Sequence, residues 1–260
     1  PSVVFHTTQG AALPEADDAP GAQGRTGPLR VVLDPGHGGI DPGAERGGVR
    51  EKDLVLTFAR ELKEVLLRGG NVEVVLTRES DVFVPLETRV SIARRARADV
   101  FISLHADALA EGRAHGATVY TLADEASDEA SAKLAERHDR ADLLAGVDLS
   151  RTDDAVAMVL MDMARTETAP RSEALAADLV EGIYAATQST YKTPRMQAGF
   201  SVLKAPDIPS VLIELGFLSS PSDRRKLVDP NWRRQAALGI RDALLYWAIQ
   251  DAAMETRLRK

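Results

Sequence analysis

Two histidines and two glutamates stand where short apolar runs end. His37 follows "VVLDPG", His105 closes "FISLH", and Glu214 closes "VLIE". Glu51 opens the helical pattern that follows the first loop. In open α/β sheets ligands bind beyond the carboxyl ends of the strands. Two imidazoles and two carboxylates would therefore meet on one rim. Zinc accepts His nitrogen and carboxylate oxygen, and a catalytic site uses three protein ligands and keeps a fourth place for water. Two His and one Glu would suffice, which leaves a second Glu as general base. Each residue alone has a plainer reading. A single His after a strand is more often a surface or core residue, and Glu51 could simply favour a helix N-terminus through the dipole. Glu214 is stranger, because a carboxylate ending a buried strand is unfavourable unless it is paired or metal-bound. Asp34, Asp41, Asp53 and Asp107 compete for the same roles.

The first of these residues sits in "VVLDPGHGGIDPGA", where four apolar-strand residues run into glycines, prolines and one imidazole. Glycine lets the chain turn sharply and leaves space beside a metal. Proline stiffens the loop and reduces the entropy lost on fixing a ligand.

The elements that must hold these residues alternate. Leu29–Asp34 reads as a strand, and Glu51–Arg68 as an amphipathic helix with Leu54, Val55, Phe58, Leu62, Val65 and Leu66 on one face. Asn71–Thr77 reads as a strand, Leu86–Ala98 as a helix packing Val90, Ile92 and Ala93, and "DVFISLHAD", "GATVYTL" and "IPSVLIELGFLS" as further strands. Trp232–Ile249 is a closing helix. The pattern predicts an α/β fold, with a mostly parallel central sheet flanked by helices on both faces.

Composition sets bounds. The chain has 260 residues, 44% hydrophobic and 27% charged, enough for a sizeable core. A net charge of −7 argues against a nucleic-acid partner. No apolar run approaches a membrane span. Cysteine is absent, so disulfides and thiolate chemistry are excluded. Residues 1–27 hold three prolines and four glycines and read as a linker or disordered arm. The acid is concentrated: Asp124 to Glu167 carries twelve acidic and five basic residues, a balance of −7. That marks an insertion in a more ordinary domain.

"VVLDPGHGGIDPGA", "REKDLVL", "SLHADA" and "VLKAPDIPSVLIELGFLS", in that order, closely resemble the zinc-dependent N-acetylmuramoyl-L-alanine amidases of the cell-wall hydrolase type. The resemblance spans about residues 29 to 249. It implies His37, Glu51 and His105 as ligands of one zinc ion, and Glu214 as the catalytic carboxylate. It implies cleavage of the amide between N-acetylmuramic acid and L-alanine of the peptidoglycan stem peptide, by an exported, periplasmic enzyme.

Members that separate daughter cells carry a helical insertion that blocks the active site until an activator moves it, and residues 124–170 resemble it. The expected layout is a catalytic domain over 28–250 containing that regulatory insertion, then a tail over 251–260. In relatives a Glu before the "ADLLAGVDLS" stretch blocks the metal. Here that place reads "AERHDRADLL", so His138 is the candidate inhibitory fourth ligand, while Glu136 lies on another helix face. Asp153–Arg165 carries an apolar stripe of Val156, Val159, Leu160 and Met163, widened by Met158 and Met161. It reads either as a core helix or as a helix docking in a protein activator's groove. The expected protein is a monomer acting on peptidoglycan. The alternatives are a zinc peptidase cutting within stem peptides and a non-catalytic wall-binding module.

Overall fold

The computed structural model describes residues 27–108, 114–144, 155–205 and 207–258, with side chains described outside 141–164 and 255–258. Six strands form one sheet in the order β4-β1-β5-β8-β6-β7. They are β1 (Leu29–Pro35), β4 (Val72–Leu76), β5 (Val100–His105), β6 (Ala117–Leu122), β7 (Thr190–Ala198) and β8 (Ser210–Glu214). A two-stranded ribbon, β2 (Glu45–Arg46) with β3 (Val49–Arg50), projects from the loop after β1. β1, β4, β5 and β8 pair in parallel. β6 runs antiparallel to β8 and carries β7 parallel at the edge. The mostly parallel sheet matches the expected fold class.

The central strands are buried along their whole length, as in "VFISLH" and "SVLIE", because helices cover both faces. Edge strand β4 alternates buried and exposed residues. β7 contains Pro194, which an edge strand tolerates because one side of its ladder is unused. One face packs Val31, Leu33, Ile102 and Ile213 against α1 (Glu51–Arg68), α4 (Ala155–Thr187) and α6 (Pro230–Leu258). The other packs Val32, Phe101, Tyr120 and Leu212 against α2 (Leu86–Arg95), α3 (Glu129–Leu144) and a 3-10 turn at Ser201–Leu203. The short α5 (Pro221–Val228) starts on a Ser220 cap whose hydroxyl accepts from the Asp223 N–H.

Three features differ from the sequence expectation. α4 runs unbroken through Pro170 to Thr187, so the second helix of the expected insertion is continuous with a core helix. α6 continues to Leu258 and takes in most of the stretch expected as a tail. On α2 the most buried residues are Arg89 and Ala93, with Val90 and Ile92 only partly covered. The arm expected over 1–27 lies, but for Gly27, outside the described residues, as do the side chains of Val156, Val159, Leu160 and Met163.

α4 and α6 cross at a pair of glycines. A Cβ on Gly182 would fall 2.5 Å from the Gly239 carbonyl oxygen and 2.7 Å from the Ala243 Cβ. Backbone cannot move aside cheaply in a packed interface. Gly182→Val is expected to destabilise the fold by about 1–3 kcal/mol or more, read as a lowered midpoint in thermal or urea unfolding. An unchanged midpoint would show that the helices can separate freely.

Candidate metal centre

The parallel register brings the site together. Asp34 pairs with Ser103, and His105 pairs with Glu214, so the ends of β1, β5 and β8 lie side by side. The loop after β1 then folds back over this rim. His37 adopts φ 58°, a left-handed conformation uncommon outside glycine and typical of functional sites. Glycines give the rings room. A Cβ on Gly36 would clash with the His105 ring, meeting its Cε1 and Nε2. One on Gly43 would lie 2.7 Å from both the Glu51 Oε2 and the His37 Cδ2. Gly38, Gly39 and Gly43 also take positive φ, so the loop needs glycine both for its turns and for the space beside the rings.

Glu51 opens α1 but does not cap it. The first amides of α1 donate instead to loop carbonyls, Glu51 N–H to Ala44 at 2.9 Å and Lys52 N–H to Pro42 at 3.2 Å. The freed side chain points inward and is fully buried. Its Oε1 accepts from the Ala106 N–H at 2.9 Å and lies 3.1 Å from His105 Nδ1; its Oε2 accepts from the Ala44 N–H at 2.8 Å. His37 Nδ1 is 2.6 Å from Asp41 Oδ2, which fixes the ring and leaves Nε2 facing Glu51 Oε1 at 3.2 Å.

His138 arrives from α3. Its ring stacks on His105 at a centroid separation of 4.1 Å and meets His37 edge-on at 5.6 Å. One donor atom from each of His37, Glu51, His105 and His138 lies within 4.8 Å of the others. Glu214 flanks this group, with Oε1 3.8 Å from His138 Nε2 and Oε2 accepting the Asp107 N–H at 2.9 Å. Glu136 faces solvent and pairs with Arg140.

The donor set fits a zinc ion. His37 Nε2, both nitrogens of His138 and Glu214 Oε1 are buried and have no hydrogen-bond partner. Buried polar atoms are ordinarily satisfied, and imidazole nitrogens beside a carboxylate are the borderline ligands zinc prefers. Charge has accumulated accordingly. Burial raises the Glu51 carboxyl, but the His37 and His105 rings hold it well below its ordinary range. Burial opposes charge on His37, yet Glu51 and Asp41 carry it up to about 10. Burial and His138 push His105 down to about 4. Burial, then the charges of Glu51 and Asp107, push Glu214 well above its ordinary range.

The competing aspartates separate by their partners. Asp34 is buried and fully engaged by Thr77 at 2.5 Å, Arg89 at 2.7 Å and Ser103 at 2.8 Å. Asp41 orients His37 and also accepts the Gly43 N–H. Asp53 pairs with Arg50 at the surface. Asp107 lies beside the site, 3.1 Å from Arg137 Nη2 and 3.6 Å from His138 Nε2.

Two arginines went unnoticed in the sequence. Arg89 donates to the carbonyls of Val84, Pro35 and His37 while paired with Asp34. Arg78 donates to those of Pro35, Gly36 and Lys52. Together they clamp the backbone of the His37 loop. For Arg89 the only signal in the sequence is a charged residue among apolar ones on a helix, ambiguous without partners, and Arg78, in the loop after β4, carries none.

Space over the cluster is about 20 Å³, lined by His37, His105, Phe83 and Arg89 and closed by His138 and Asp139 of α3. That is room for about one water. α3 is anchored there at three successive residues. Arg137 donates to the Ala108 carbonyl, His138 enters the cluster, and Asp139 accepts from the Ser201 hydroxyl at 2.8 Å.

A mostly parallel sheet with a buried His/Glu cluster and a further unpartnered carboxylate at its strand ends fits the class of metal-dependent hydrolases. Residues 31–246 match the family model for N-acetylmuramoyl-L-alanine amidase. The chain is 37% identical to the amidase AmiC of Escherichia coli O6:H1, covering 92% of this chain and 57% of that protein. It is 38% identical to AmiA of Escherichia coli K12, covering 93% and 82%, and 42% identical to AmiC of Neisseria meningitidis serogroup B, covering 87% and 56%. It thus spans little more than half of two of these relatives and most of the third. Among solved structures, AmiC2 of Nostoc punctiforme superposes with a TM-score of 0.60 at 27% identity, covering 85% of this chain and 97% of that one. The CwlD amidase from Clostridioides difficile, solved in complex with the GerS lipoprotein, shares the fold with a TM-score of 0.62 at 23% identity, covering 85% and 98%. The chain belongs to the N-acetylmuramoyl-L-alanine amidase family.

Proposed function

We propose that this chain is the catalytic domain of a peptidoglycan hydrolase that cleaves the amide between N-acetylmuramic acid and L-alanine of the stem peptide, under the control of α3. The observation that carries the reading is the convergence of His37, Glu51, His105 and His138 within 4.8 Å beside Glu214, in a chain of this family. His37, Glu51 and His105 would hold one zinc ion, which when bound supplies Lewis-acid polarisation of the scissile carbonyl and an acidified water. Asp41 orients His37, and the Ala106 and Ala44 amides orient Glu51, as outer-shell partners do at metal sites. Glu214 takes the proton of the attacking water on its open Oε1 and returns it to the leaving amine, while the Asp107 amide fixes its other oxygen.

His138 would serve as an inhibitory fourth ligand. A saccharide–peptide substrate needs a cleft of a few hundred Å³, and with α3 seated about 20 Å³ remains. An activator that binds the open state more tightly shifts the population toward it. We assign its docking to Asp153–Arg165, on the apolar stripe of Val156, Val159, Leu160 and Met163. The CwlD amidase of C. difficile is itself solved in complex with a lipoprotein. Among the described residues no helix is long and apolar enough to cross a membrane. A wall substrate places the working enzyme outside the cytoplasmic membrane, in the periplasm.

Digestion of purified peptidoglycan tests both parts. Mass spectrometry should find intact stem peptides with a free L-alanine amino end; fragments cut within the stem would instead indicate a peptidase. Without activator, His138→Ala should digest faster than wild type, and a deletion of residues 127–165 faster still. A folded, metal-loaded deletion no faster than wild type would end the autoinhibition reading. If the deletion alone is faster, α3 blocks by bulk and His138 is not its anchor.

A further inference from the structure

We propose that Thr118 is a positioning residue for Glu214, its hydroxyl reserved as the hydrogen-bond partner of the carboxylate oxygen that handles the proton. The inference rests on the reading of Glu214 as the general base. Thr118 on β6 is the direct antiparallel partner of Glu214, and His105 is its parallel partner on β5. Directly paired residues present their side chains on one face, with Cβ atoms about 5 Å apart. Thr118, Glu214 and His105 therefore form one row across three strands, at the level of the metal-ligand cluster.

The row contains two open polar atoms. Thr118 is 0% exposed and its Oγ1 has no hydrogen-bond partner; Glu214 is also 0% exposed and its Oε1 has none. A buried hydroxyl without a partner is destabilising, whereas valine has almost the same shape and nothing to satisfy. Packing alone would therefore favour valine here. The floor of the site thus holds a buried, unpartnered hydroxyl at the strand position paired with Glu214, whose Oε1 is unpartnered as well. A hydroxyl donating to Oε1 would hold that oxygen in the orientation for proton transfer, complementing the Asp107 amide on Oε2.

The test measures thermal midpoint and steady-state kinetics of the whole chain on a soluble N-acetylmuramoyl-L-alanyl peptide. Thr118→Val should raise the midpoint by a few degrees and lower kcat about tenfold, the worth of one hydrogen bond to a charged group. KM and metal content should stay within about twofold of wild type, and Thr118→Ser should retain most of kcat. An unchanged kcat in Thr118→Val overturns the proposal. So does an equal loss in Thr118→Ser, which would assign the effect to the methyl group. If the valine variant does not fold, Thr118→Ala removes the same hydroxyl and is read the same way. Glu214→Gln is measured alongside. If it is inactive while Thr118→Val is fully active, only the Thr118 inference fails; if it is itself active, the reading of the base fails first. In the Glu214→Gln background, Thr118→Val should have no further effect on kcat, because residues acting as a unit are not additive.

Discussion

Glu214→Gln is expected to lower turnover by about two to four orders of magnitude, the usual worth of a general base, while fold and metal content are retained. The amide copies the shape of the carboxylate and can still accept the Asp107 N–H that holds Oε2. It cannot take a proton. Stability should move the other way. Burial, with the charges of Glu51 and Asp107, raises the folded value of Glu214 well above 4.5. A raised carboxyl stabilises fully below its unfolded value, and that contribution is lost as pH rises through the folded value. In the metal-free chain at neutral pH the wild type has lost some or all of that contribution, depending on how far the folded value is raised, and the neutral glutamine is spared it. The glutamine variant should therefore melt at or above the wild-type temperature when both are stripped of metal, while losing activity when both are loaded. Near-normal turnover would transfer the role to another carboxylate, of which Asp107 lies nearest His138.

The second large effect concerns the metal itself. His105→Ala should fall from about one zinc per chain to little or none by elemental analysis, with activity lost and circular dichroism unchanged. Even outer-shell partners of a metal are worth about 10–100-fold in affinity, so removal of a ligand should exceed that. Full zinc content in the variant would sink the ligand assignment. The pH dependence follows from His37. Its folded value is about 10 in the metal-free protein, held up by Glu51 and Asp41 against burial. A ligand imidazole must be neutral, so zinc loading near neutral pH should release about one proton from His37. Apparent affinity should rise with pH, by up to about tenfold per unit below that value. His105, pushed down to about 4, contributes no proton in that range. Calorimetric titrations in two buffers of different ionisation enthalpy count the protons released. A count of zero near neutrality would show that His37 is already neutral and that the His37–Glu51 pair is not charged.

The sequence by itself determined where the chemistry would lie. Short apolar runs and period-3.6 patterns are local, so "VVLD", "FISL" and "VLI" were legible as strands and Glu51–Arg68 as a helix. Parallel strands put their carboxyl ends on one side, which placed His37, His105 and Glu214 on a shared rim before any coordinates. Motif order supplied the family. Tertiary structure alone decided which carboxylates do what. Asp34, Asp41, Asp53 and Asp107 are the same kind of residue in sequence, and only their partners separate a buried clamp, a group that orients His37, a surface pair and a neighbour of His138 and Glu214. It also decided that Arg89, on a helix face read as apolar, turns inward to hold loop carbonyls, because a buried guanidinium can be satisfied only by acceptors distant in sequence. α4 runs through Pro170, where local propensity favours a break, because packing against α6 outweighs the lost hydrogen bond. His138 was legible through the family resemblance, and the structure brings it to the cluster on α3. Thr118 is the clearest case of the opposite kind, paired with Glu214 through an antiparallel register on β6. That position does not follow from local pattern, since strand order and register are set by long-range burial of the whole sheet.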